Sequence, residues 1–136
     1  YLYIDQECSV LDPGLTVFEQ TERFNASHLA EHELKSILNR CLFPYETWDK
    51  PCFCLSGGEK IRLLFCCLMI GNNAPDVFIL DEPTNNLDIQ SVEIITAAIK
   101  SYRGTVLLIS HDHYFVKEIK INRSIKLFDT GSVIKI

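Results

Sequence analysis

Asp81 and Glu82 stand side by side at the end of a short apolar run, residues 77–80, and Ser110-His111 follow a second run, residues 105–109. Both runs read as buried strands. A helix joins them, so they are parallel and right-handedly connected. In open α/β sheets, ligands bind beyond the carboxyl ends of the strands. Two carboxylates and an imidazole at one such edge suit a hydrated Mg²⁺ beside a phosphate. One carboxylate serves the metal, the other orients water, and the imidazole donates to a phosphoryl oxygen. The plainer reading is that Asp81 and His111 cap the loops that follow. Their occurrence on adjacent strand ends favours the chemistry.

Two further groups bear on function. Ser56-Gly57-Gly58-Glu59 precedes an apolar helix. Ser-x-x-Glu is a capping box, which by itself explains a well-made helix start. The two glycines add another reading, since they let an anion approach the exposed N–H groups of the helix terminus. His28-Leu29-Ala30-Glu31-His32 matches the H-x-x-E-H pattern of a zinc site. Two His at i, i+4 share a helix face, but Glu31 and Lys35 also make an ordinary i, i+4 pair there, and no third ligand is evident. The plainer reading is preferred for this motif.

Elements that place these groups follow from periodicity. Residues 1–4 form a short β-type run, and Asp12-Pro13-Gly14 a turn. Residues 28–42 carry Ala30, Leu34, Ile37, Leu38, Cys41 and Leu42 at helical spacing. Pro44 and Pro51 bracket an irregular stretch around Trp48. Residues 59–70 form a buried helix, ended by the stretch from Gly71 to Pro75. Asp88 caps a helix over 89–102, Asp112 caps a short helix, and residues 125–128 and 133–136 form strands joined by a turn at 129–132. The order implies a mostly helical first half and an α/β second half.

Composition bounds the alternatives. The chain has 136 residues, 47% apolar and 23% charged, which is globular composition for one domain. Its formal net charge of −5 makes it a poor candidate for gripping nucleic acid by bulk charge. No apolar run approaches the ~18 residues of a membrane span, and no signal-peptide pattern opens the chain. The six cysteines read as reduced thiols of a cytosolic protein, with Cys66 and Cys67 as small core residues.

As an ordered set, these segments resemble the nucleotide-binding cassette of ABC ATPases. Leu55-Ser56-Gly57-Gly58-Glu59 resembles the ABC signature. Residues 77–83, ending Asp81-Glu82-Pro83, resemble the Walker B strand. Asn86-Leu87-Asp88 resembles the D-loop and Ser110-His111-Asp112 the switch His, while Gln6 sits where the Q-loop Gln would be. LSGGEK with Arg62, DEPTNNLD and GTVLLISHDHYF resemble the ABC-F branch. The resemblance implies a partial P-loop NTPase fold of α/β class: a Q-loop strand and helical signature subdomain over 1–75, then a catalytic subdomain with a mostly parallel sheet and flanking helices over 76–136. It implies ATP and Mg²⁺ as ligands. Asp81 would hold Mg²⁺ through water, and Gln6 would sense Mg²⁺ and water. Glu82 would orient or deprotonate the attacking water, and His111 would contact the γ-phosphate. Ser56, Gly57 and Gly58, with Glu59 at the helix start, would clamp ATP held by an opposing cassette. Asp88 would couple the two sites. The implied setting is cytoplasmic, and the implied partner of the full-length protein is the ribosome.

One motif is missing. None of the six glycines is followed by Lys, so no G-x-x-x-x-G-K-[ST] loop is present to cradle phosphates. The chain resembles the cassette from its Q-loop onward. The expectation is an ATPase part that binds ATP weakly by itself and turns it over negligibly. Apolar sheet surface left without its usual cover is expected to drive self-association. Two other readings follow from the same motifs. One is the ATP-binding subunit of a membrane transporter, and the other is a non-catalytic interaction module.

Overall fold

The helix that follows the signature-like segment buries more residues than any other described helix, and it organises the rest. A computed structural model describes residues 1–5, 8–71, 75–85, 87–127 and 133–135. Ten elements follow in chain order: β1 (Leu2–Ile4), α1 (Val17–Phe24), α2 (Glu31–Arg40), α3 (Gly57–Ile70), β2 (Val77–Asp81), α4 (Ile89–Ser101), β3 (Thr105–Ile109), α5 (His113–Glu118), β4 (Ile125–Leu127) and β5 (Val133–Lys135). Two single 3₁₀ turns, Tyr45–Thr47 and Cys52–Cys54, fill the stretch between the prolines. α3 buries Ile61, Leu63, Leu64, Phe65, Cys66, Cys67 and Ile70, on more than one face, because α1, α2 and α4 all pack against it. It starts at Gly57, two residues before the periodicity suggests, because the Ser56 cap extends it.

Two helices differ from expectation. α1 is not visible in the hydrophobic pattern, since its buried residues are Val17, Gln20 and Thr21. Local bonds meet part of the need of its polar side chains: the Asp12 N–H donates to Gln20 Oε1 at 3.0 Å and the Thr21 hydroxyl to the Phe18 carbonyl at 2.7 Å, while Gln20 Nε2 is buried with no partner among the described residues. The sequence signal for it is the Thr16-x-x-Glu19 capping box, present in full. α2 is shorter than residues 28–42. His28 lies outside it at φ 53° and Ala30 is its N-cap, so His28 and His32 do not share a helix face. Leu42, also at positive φ, lies beyond its C-terminus. Glu31 and Lys35 do pair. Among the described residues, no group of three or more His, Cys, Asp or Glu could hold a metal.

β1, β2 and β3 form one parallel sheet in that order, so the first half of the chain contributes a strand to the sheet of the second. In register, Ile4, Leu80 and Leu108 lie abreast, as do Leu2, Phe78 and Val106. This face meets the helices: Phe78 contacts Phe65 of α3, with ring centroids 6.5 Å apart, and Tyr102 after α4 at 4.2 Å. The other face carries Tyr3, Ile79 and Leu107 abreast, then Asp81 and Ile109. Nothing covers it among the described residues, and Tyr3, Leu107 and Ile109 are about half exposed. β4 and β5 pair antiparallel as the expected hairpin. Its turn, 129–132, lies outside the described residues. No disulfide joins the cysteines, and no helix among the described residues is long and apolar enough to cross a membrane.

Candidate functional site

The sheet's register sets the site. Asp81, the last residue of β2, lies abreast of Ile109, the last of β3, so the loops carrying Glu82 and His111 leave the sheet at one level. Asp81 Oδ2 accepts a hydrogen bond from the Tyr3 hydroxyl at 3.0 Å. Glu82 adopts φ 47°, a left-handed conformation that costs a side-chain-bearing residue of the order of 1 kcal/mol. Its own N–H, donating to the Ile109 carbonyl at 2.9 Å, offsets that cost. The next strand end meets its carboxylate through His111. The His111 N–H donates to Oε2 at 3.4 Å, and His111 Nε2 lies 3.6 Å from Oε1. The His111 imidazole is 99% exposed and the Glu82 side chain 21%, so the carboxylate is held while the imidazole is free to meet a ligand.

The start of α3 faces this edge. Ser56 Oγ accepts from the Glu59 N–H at 3.2 Å, and Glu59 Oε2 accepts from the Ser56 N–H at 2.8 Å. Lys50 Nζ adds an ion pair to Glu59 at 3.2 Å. Burial pushes the Glu59 carboxyl up, but the bonds from Ser56 and the Lys50 charge outweigh it and hold the group below its usual range. The two glycines serve different ends. A Cβ on Gly57 would meet nothing within 4 Å, whereas one on Gly58 would lie 3.0 Å from Leu87 Cδ2. A side chain at Gly57 would project into open space, whereas the bare Gly58 lets the segment before α4 approach. Asp88 caps α4: Oδ1 accepts from the Ser91 N–H and Oδ2 from its hydroxyl, both at 2.8 Å, which lowers the carboxyl's pKa. Ser56→Ala is expected to cost about 1 kcal/mol of stability by orphaning the Glu59 N–H. Urea unfolding measures it, and an unchanged midpoint would show that the cap is dispensable.

Ser56, Gly57, Gly58, Asp81, Glu82 and Asp88 line one cavity of about 310 Å³. Thus six residues singled out from the sequence converge there. Glu59 supports the helix start from behind, His111 borders the site through Glu82, and Gln6 lies outside the described residues. Leu87, from the D-loop-like segment, lines the same cavity, and Tyr3 joins the arrangement although no motif marked it. The donor set fits a hard cation that keeps most of its water, since Asp81 offers carboxylate oxygen with Oδ1 unpartnered among the described residues.

Residues 1–85 match the family model described as ABC transporter. The chain belongs to this family. The ABC transporter F family member 5 of Arabidopsis thaliana is 43% identical over 128 residues, covering 93% of this chain and 18% of that protein. The F-branch reading of LSGGEK and DEPTNNLD agrees with it. The chain therefore spans about a fifth of the length of this ABC relative. Two solved structures share the fold. A dimeric post-hydrolysis ATP-binding cassette, MJ0796, bound to ADP and Pi superposes with TM-score 0.63 at 22% identity, covering 85% of this chain and 54% of that one. The archaeal ribosome recycling factor aABCE1, solved with the ribosomal stalk protein aP1, gives TM-score 0.66 at 23% identity, covering 90% and 24%. The chain is thus α/β, with a parallel sheet and helices, and shares the fold of ABC cassettes.

Proposed function

We propose that this chain supplies the water-activating part of an ATP-hydrolysing ABC-F protein that acts on the ribosome. The observation that carries the proposal is the placement of Asp81, Glu82 and His111 on two adjacent parallel strand ends at a cavity closed by the amide end of α3. In the reaction, a water oxygen bonds to the γ-phosphorus as the bond to the ADP oxygen breaks, and the water's proton passes to Glu82. Little covalent chemistry falls to the protein, so its work is positioning and charge stabilisation. Glu82 holds and deprotonates the water. His111 donates to a γ-phosphate oxygen, and Gln6 senses Mg²⁺ and water. Asp81 would hold Mg²⁺ through water, and that ion would supply neutralising charge to the phosphate oxygens. Ser56, Gly57 and Gly58 contact the γ-phosphate of ATP on an opposing cassette, with Glu59 securing their helix. Asp88 links the two sites.

The same reading divides the chain into a signature subdomain over 1–75 and a catalytic one over 76–136, and places the protein in the cytoplasm. It makes the 136-residue chain itself inactive, because no phosphate-cradling loop lies within it. The bare face carrying Tyr3, Leu107 and Ile109 suits association with a second copy. The F-family relative supports the branch. The ribosome is supported by the fold-neighbour whose own description is a ribosome recycling factor in complex with a stalk protein. The test is sedimentation of the full-length protein with ribosomes, with and without ATP. ATP-dependent co-sedimentation is expected. Recovery with membranes instead would turn the reading to a transporter subunit.

A further inference from the structure

We propose that Tyr3 is a positioning residue for the cation-holding carboxylate, its phenolic hydroxyl fixing Asp81 in one orientation. The inference rests on the proposed role of Asp81 and extends it to a residue that no motif marks. Tyr3 lies abreast of Ile79, and Asp81 lies two residues further along β2 on the same sheet face. Diagonal neighbours of this kind are roughly 7–8 Å apart, within reach only of long or aromatic side chains. A tyrosine spans that gap and still offers a donor, and here the hydroxyl reaches Oδ2 at 3.0 Å. Phenylalanine would span most of it with nothing to donate.

Packing does not account for the ring. Tyr3 is 45% exposed on the uncovered face, and among the described residues no aromatic ring lies against it. What the side chain does is remove a rotational freedom from Asp81. With Oδ2 engaged, Oδ1 is the oxygen left for a cation at the cavity that Asp81 lines. Groups that orient a metal-holding carboxylate in this way change metal affinity by roughly 10–100-fold when removed.

The experiment titrates Mn²⁺ into the chain and reads free and bound ion by electron paramagnetic resonance. It compares the wild type with Tyr3→Phe and Asp81→Asn, and records the thermal midpoint of each. The expected result is Mn²⁺ affinity about tenfold weaker in Tyr3→Phe at an unchanged midpoint, and at least as weak in Asp81→Asn. Wild-type affinity in Tyr3→Phe with a loss in Asp81→Asn would overturn the role of Tyr3 and leave that of Asp81 standing. Binding that is absent, or indifferent to Asp81→Asn, would overturn the metal reading and the inference with it. A loss in Tyr3→Phe that tracks a lowered midpoint would assign Tyr3 to stability instead.

Discussion

Glu82→Gln is expected to lower ATP turnover by about 10²–10⁴-fold in a cassette that joins this sheet edge to a phosphate-holding loop, while ATP still binds. The size of the effect follows from the geometry. Glu82 is anchored at both backbone and side chain: its N–H ties to the Ile109 carbonyl, and the His111 N–H ties to its Oε2. Glutamine keeps the volume and the carbonyl acceptor, so the backbone at φ 47° has no new reason to move. What is lost is the basic oxygen proposed to accept the water's proton. Single-turnover phosphate release measures the change, and a fall of less than tenfold would remove Glu82 from the chemistry.

Leu64→Ala is expected to cost about 3–5 kcal/mol, enough to unfold a sizeable share of a marginally stable domain. Leu64 is fully buried in α3, between Leu63 and Phe65, which are themselves buried. α1, α2 and α4 all lean on this helix, so the surroundings cannot collapse into the vacated volume without parting from it. The same packing aims the amide end of α3 at the cavity, so the loss reaches the site as well as the core. Urea unfolding followed by circular dichroism measures it. A cost below about 1 kcal/mol would mean that α3 is not the organising element.

The elements that position the carboxylates are legible because each carries a strong local signal. β2 and β3 are apolar runs of strand length, and α4 and α5 open on the aspartates Asp88 and Asp112, whose side chains do accept from the first-turn N–H groups. α1 is hard to read by periodicity, because polar Gln20 and Thr21 are buried along with Val17. His28 shows the opposite failure, where a helical pattern runs on past the true N-cap at Ala30. Within the site, Asp81, Glu82 and His111 are legible as strand ends. The Tyr3–Asp81 contact is not, since it depends on the register of strands 78 positions apart in sequence. Nor is the difference between Gly57 and Gly58, which arises only where Leu87 comes to rest.

The claim at the centre is that the hydrolytic edge is present in this chain while the phosphate cradle lies outside it. Isothermal titration of the 136-residue chain with Mg-ATP tests it directly. The result expected is a dissociation constant of about 1 mM or weaker, since no loop of backbone amides with a lysine is there to hold the phosphates. Micromolar affinity for the chain by itself would contradict it.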